Sequence, residues 1–364
     1  MEAQAGKPQR YNNLDGIRSL AAIGVICMHV RANIGFEISA GGGIADYVIN
    51  SLIGSFGELV YLFFVISGFS MCCGYYEKIK NNQISLNDFY SRRYWKILPF
   101  FALLVLIDVA VGFLLDGGIG IGTLYEAFAD LTLMFGFFPA PNISVIGVGW
   151  TLGVIFGFYI LFPFFVFLIW NKKRAWFSLI LSTAVSYVCS VYFTVDGVDV
   201  EANVLRWLCF FIAGGLIYLY REQIRAWYEK LGTVRGNVMG LFLVLLGLAF
   251  MHLIYLPETS DLMVLAGTLQ HLIGYSFVVI GTLGFETKIW CNPVSKFICG
   301  VSLEIYIAHM MVFRVLEKLG LTTIAGESVV SYIIACVGTI GGALIFAVAY
   351  QYIEKGIKKK VVKA

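Results

Sequence analysis

Stretches of about twenty predominantly apolar residues recur along this 364-residue chain. One helix of that length crosses a bilayer core of ~30 Å, and core helices of soluble domains are usually shorter. Ten such windows can be read: 14–34, 56–76, 97–115, 148–170, 175–194, 203–220, 237–256, 262–283, 297–318 and 328–353. The expected fold is therefore all-α: a polytopic membrane protein of ten transmembrane helices, one integral-membrane domain over residues 1–364. Composition agrees, with 59% hydrophobic residues, 13% charged and a mean hydropathy of +0.82. Soluble domains carry roughly 25% charged residues. No polar stretch is long enough to fold as an appended catalytic domain, so any chemistry must sit among the membrane helices. The net charge of +3 gives no sign of nucleic-acid binding. The first apolar window lacks a small-residue cleavage site behind it and is read as a retained signal-anchor helix.

Loop charge sets the orientation. With the N-terminus inside, the cytoplasmic segments collect 21 of the 26 Lys and Arg residues. The outer loops, 35–55, 116–147, 195–202, 257–261 and 319–327, hold none. Both termini are thus expected in the cytoplasm of a multi-pass cell-membrane protein. Residues 123–138 are apolar enough to tempt an eleventh span. Counting them would put the basic turn Asn171–Arg174 outside, and they carry Glu126 and Asp130 one helical turn apart. An amphipathic or re-entrant segment on the outer surface fits better. The eight cysteines follow no metal-ligand spacing, and no metal site is expected.

Ionisable groups inside spans are costly, at least ~2.5–3.5 kcal/mol each, so each is a functional candidate. In the first span, Arg18 and His29 lie eleven residues apart. Eleven steps return to within ~20° of the same face and climb ~16 Å, so one stripe carries a cation near the cytoplasm and an imidazole further out. In the ninth span Ser302, Tyr306 and His309 share a face at i, i+4 and i+7. His29 and His309 come to comparable depth, which suggests a shared internal cavity, and histidine suits general-base work. The plain alternative for each is a snorkelling cation or an interhelical hydrogen bond. Arg92, Arg93 and Lys96 precede the third span, where they either anchor a phosphorylated ligand or supply ordinary positive-inside charge. Asp108 is a lone carboxylate within the third span. His252 and His271 have no periodic polar partners and are read as structural.

Four stretches, taken in order, resemble the acyltransferase 3 family of membrane acyltransferases. LDGIRSLAAIGVICMH resembles its opening signature, with Arg18 and His29 at an Arg-x10-His spacing. LFFVISGF (62–69) resembles its second-helix motif, RRYWKILP its basic loop, and VSLEIYIAH its Ser/Tyr/His signature near the C-terminus. The resemblance implies acyl-CoA, usually acetyl-CoA, as a donor bound from the cytoplasm. It implies hydroxyls of carbohydrates or lipid-linked glycans as acceptors. His29 would be the base that deprotonates the acceptor, while Arg18, Arg93 and Lys96, with Arg92 beside them, would hold donor phosphates. Glu58, Trp150, Thr151, Ser302 and Tyr306 would face substrate.

Two departures stand out. Lys96 replaces the second arginine of the basic loop, keeping the charge but losing the bidentate fork. Many members also carry a Glu three residues beyond the outer Trp-Ser/Thr-Leu, where GWTLGVIFGFY has Ile155, with Phe156 next. Glu58, Asp108, Glu126 and Asp130 are the carboxylates that could substitute. The other classes considered are a proton-coupled secondary transporter using His29, His309 and Asp108, and a non-catalytic relative with the same fold. No internal repeat or matched pair of interrupted helices favours transport.

Overall fold

The computed structural model describes residues 11–39, 41–116, 118–137, 146–193, 201–254, 256, 260–284, 287 and 292–361. Among these the secondary structure is helical, with a single isolated bridge between Ile324 and Gly326. The helices run α1 (Asn12–Asn33), α2 (Gly43–Lys80), α3 (Leu86–Asp116), α4 (Ile121–Thr132), α5 (Trp150–Leu168) and α6 (Lys172–Tyr192). They continue as α7 (Val204–His252), α8 (Asp261–Gly284), α9 (Pro293–Gly300), α10 (Ser302–Lys318) and α11 (Val329–Val361).

Local sequence explains several starts. Asn171 and Asn203 cap α6 and α7 by accepting from the backbone N–H groups of Arg174 and Leu205. Asn292 and Ser295 form a reciprocal capping box at α9, with Pro293 in the first turn. Gly232 lies inside α7 at φ 73° and ψ 167°, a region essentially reserved for glycine, and marks a break in that 49-residue helix.

Seven of these helical stretches are long and apolar enough to cross a membrane, or eight if α9 and α10 form one bent span. The difference from ten has physical causes. The windows 203–220 and 237–256 lie largely on the two halves of α7, either side of the non-helical Gly232, and the seven count that stretch once. The polar residues Asn12, Asn13, Asp15, Arg18, His29, Arg31 and Asn33 dilute α1, which is not among the seven. The window 297–318 is not one straight helix: α9 and α10 meet at a 71° bend around Val301. The expected outer loop 35–55 is helical from Gly43 onward, because ADYVINSLIGSF is apolar enough to extend α2 outward through π and 3-10 turns. Segment 123–138, described as far as Phe137, overlaps α4, which is twelve residues long and about 18 Å by its rise, too short to cross. It is amphipathic: Ala129 and Asp130 are buried, while Ile121, Leu124, Tyr125 and Phe128 are exposed.

Large apolar side chains also face outward along the long helices, among them Leu106, Phe177, Ile180, Val238 and Ile345. On a water-soluble surface such bands would be a liability, but on a multi-pass membrane protein they meet lipid. Inside, α2 and α7 touch backbone to backbone. A Cβ on Gly68 would collide with the Phe211 carbonyl, and one on Gly214 with the Val65 carbonyl. Small residues give this close approach between membrane helices.

Candidate active site

A cavity of about 380 Å³ lies between α1, α2, α3, α5 and α10. Its polar lining comes from Arg18, Ser67, Ser70, Tyr75, Arg93, Lys96, Thr151, Tyr159, Ser302 and Tyr306, and the remaining wall is apolar. Regular α-helix gives way to a π turn at Cys72–Tyr76, which brings Gly74 and Tyr75 onto the cavity wall.

The cations are held but not neutralised in the contacts they make here. Arg18 donates from Nη2 to Ser70 Oγ at 3.1 Å, and its Nη1 faces Cys299 Sγ at 3.8 Å. The Cys299 thiol in turn donates to Asp15 Oδ1 at 3.4 Å. Arg93 donates from Nη2 to the Tyr75 hydroxyl at 2.6 Å, while its Nε is buried without a hydrogen-bond partner. Lys96 is exposed. The Tyr306 hydroxyl is also buried without a partner, on the wall of this cavity. Buried polar groups are usually satisfied, and this hydroxyl has only Thr151 beside it, in poor hydrogen-bond geometry, so it can turn to a ligand in the cavity. Ser302 Oγ donates back to the Cys299 carbonyl at 2.9 Å, and Thr151 Oγ1 to the Val148 carbonyl at 3.2 Å.

One turn beyond Tyr306, His309 is wholly buried and meets His29 of α1. Nε2 of His309 lies 3.1 Å from Nδ1 of His29, with ring centroids 5.0 Å apart. Nδ1 of His309 lies 2.5 Å from the Tyr306 carbonyl, which can only accept. With both rings neutral, the hydrogen positions follow from this network. His309 donates from Nδ1, so its Nε2 accepts, and His29 must donate from Nδ1. The lone pair left over is Nε2 of His29. The two histidines read from separate spans thus form one directed pair, but neither ring is among the residues lining the cavity they were expected to share.

The model of an acyltransferase domain, that of the acyltransferase 3 family, matches residues 11–348, essentially the whole chain. The chain belongs to the acyltransferase 3 family. No curated protein and no solved structure matches it. Family membership makes it a multi-pass membrane acyltransferase, and the remaining residues can be placed on that footing.

Ile155, where many acyltransferase 3 proteins are expected to carry Glu, lines the cavity, and no carboxylate does so among the described residues. The four carboxylates that could substitute lie elsewhere. Asp108 Oδ1 is 3.6 Å from Nη1 of Arg314. Glu58 Oε2 is 3.2 Å from Nε2 of His271. Asp130 is buried beneath α4, and Glu126 is on the same short helix. Trp150 is not in the cavity lining. Its ring packs against Phe64 and Trp207 at centroid distances of 6.3 and 6.1 Å. Arg92 is exposed and faces a separate cleft in the loop between α2 and α3. Glu304 accepts from Gln351 of α11 at 2.9 Å, pointing away from this site.

Sequence reasoning missed the pairing of His271 with Glu58 and that of His252 with Ser55, the latter at 2.8 Å. Both partners lie on distant helices, so no local period exposes them. It also passed over Ser67, Ser70 and Gly74, although their i, i+3, i+7 spacing in an otherwise apolar helix was a usable signal. Among the described residues no three His, Cys, Asp or Glu side chains gather closely enough to hold a metal ion.

Proposed function

We propose that this protein is an integral-membrane O-acyltransferase that takes an acyl group, acetyl in the simplest case, from cytoplasmic acyl-CoA to a hydroxyl of a carbohydrate or lipid-linked sugar. The observation that carries this reading is the directed His309–His29 pair, whose remaining lone pair is Nε2 of His29. Tyr306, three residues before His309, lines a cavity that also presents Arg18, Arg93 and Lys96. The acceptor class rests on the family resemblance.

The donor's thioester lies in the cavity with its phosphates toward the cations, which match phosphate oxygens in charge and geometry. The acceptor hydroxyl approaches Nε2 of His29. As its oxygen bonds to the thioester carbon, the hydroxyl proton passes to Nε2. Negative charge gathers on the carbonyl oxygen, and the Tyr306 hydroxyl on the cavity wall is the donor suited to meet it. The C–S bond then breaks, and His29 returns the proton to the departing thiolate. His309 fixes the His29 tautomer and ring orientation without touching substrate. No carboxylate is required, which accommodates Ile155.

In this reading the membrane topology has ten crossings. α7 is broken at Gly232 into two helical parts of about 42 and 30 Å by their rise, each long enough for one crossing of ~30 Å, and so supplies two crossings. The bent pair α9–α10 supplies one and the polar α1 another, both termini lie inside, and α4 rests at or dips into the outer surface. The direct test uses purified protein in lipid nanodiscs with labelled acetyl-CoA and a panel of glycan acceptors. His29→Ala should lower transfer by about 10²–10⁴-fold, the usual contribution of a positioned base. Transfer at the wild-type rate in that variant would remove His29 from the mechanism.

A further inference from the structure

A second cleft, of about 620 Å³, lies in the loop between α2 and α3 and shares no lining residue with the inner cavity. Lys78 and Arg92 contribute its cations, Asn82, Gln83 and Ser85 its neutral polar groups, and Asp88 its one carboxylate. Tyr75 joins the two spaces. Its ring carries Arg93 of the inner cavity with the guanidinium carbon 4.6 Å from the centroid, and Lys78 of the loop cleft with Nζ at 5.6 Å.

Dimensions divide the donor between them. Along α2 the inner cavity is lined from Val60 to Gly74, about 21 Å at the helical rise. That is the reach of an extended acyl-phosphopantetheine arm. The walls suit it, being largely apolar with hydroxyls at intervals, and Arg93 beside Tyr75 stands at the end nearest the loop. The loop cleft is of a size usual for a small-ligand site.

We infer that the loop cleft bounded by Lys78 and Arg92 binds the phosphorylated nucleoside half of the acyl donor, while the inner cavity takes the acylated arm. This rests on the acyl-CoA reading above. Lys78 and Arg92 meet phosphate oxygens, and Asn82 and Gln83 offer amide donors and acceptors to the base. The Asp88 carboxylate can accept only from hydroxyl or amino hydrogens, as a ribose or base supplies, because its charge opposes phosphate.

Equilibrium binding to nanodisc-embedded protein tests the division with two donors, acetyl-CoA and acetyl-phosphopantetheine. Wild type should bind acetyl-CoA more tightly. Lys78→Ala and Arg92→Ala should each weaken acetyl-CoA binding by about tenfold, the scale of one charge-assisted hydrogen bond. Both should leave acetyl-phosphopantetheine unchanged, whereas Arg93→Ala should weaken both donors. Lys78→Arg should restore most of the acetyl-CoA affinity, separating lost charge from disturbed folding. If Lys78→Ala and Arg92→Ala change neither donor, or both equally, the cleft does not hold the nucleotide and these cations are ordinary positive-inside charge. If wild type binds neither donor, the acyl-CoA reading itself fails.

Discussion

At the scale of single residues, the reactivity assigned to His29 depends on a hydrogen bond made by a different ring. The Tyr306 carbonyl dictates the His309 tautomer, and His309 dictates that of His29. Replacing His309 with Leu removes the acceptor for His29 Nδ1 and frees the imidazole to turn. Steady-state kinetics should show kcat falling by about 10²-fold with KM for acetyl-CoA nearly unchanged, the pattern of an interaction felt at the chemical step. His309→Gln can still accept from His29 and should recover part of the loss; equal losses in kcat and donor affinity for both variants would argue for a merely structural pair. Much of this site was legible in sequence, because Arg18, His29, Ser302, Tyr306 and His309 are polar residues at helical spacing in apolar spans. Their mutual contact was not, since period gives a face but never the neighbour it meets. Asp108 shows the same limit, a lone carboxylate in sequence whose partner Arg314 lies on another helix.

At the scale of elements, the α2–α7 contact and the α7 break make opposite demands on glycine. Gly214 is needed because a methyl group would strike the Val65 carbonyl, a backbone atom that cannot swing aside. Gly214→Ala should cost about 3 kcal/mol, the upper range for overpacking, measured as an earlier unfolding transition in SDS titration from mild detergent. Gly232 has open space around its Cβ position and is needed for its backbone angles alone. Gly232→Ala should cost less, about 1–3 kcal/mol from strain. A larger cost at Gly232 than at Gly214 would contradict the packing described for the seam. Helix positions were readable from hydropathy, but the early start of α2 at Gly43 and the bend at Val301 were not. Both depend on turns whose residues are as apolar as the spans they interrupt or extend.

At the scale of the whole molecule, the loop charges divide the chain into two sides, and single cysteines can report them. Ser39→Cys and Glu327→Cys should react with a membrane-impermeant maleimide on intact cells, and Asn171→Cys only after permeabilisation. Labelling of Asn171→Cys from outside would reverse the orientation drawn from the positive-inside rule. Charge asymmetry gives this expected arrangement from sequence alone, whereas the number of crossings is harder to read, because a polar α1 and the broken α7 blur any count. The glycine seam between α2 and α7 bears on how the proposed donor and acceptor could meet. Gly68 lies on the Phe211 carbonyl and Gly214 on the Val65 carbonyl, so a slide of one residue would push a side chain into a gap that fits only hydrogen. The two helices are keyed together like a bolt in its slot. Sliding at this seam is opposed by backbone contact, so in the proposed reaction donor and acceptor would each travel to a fixed partition and react there.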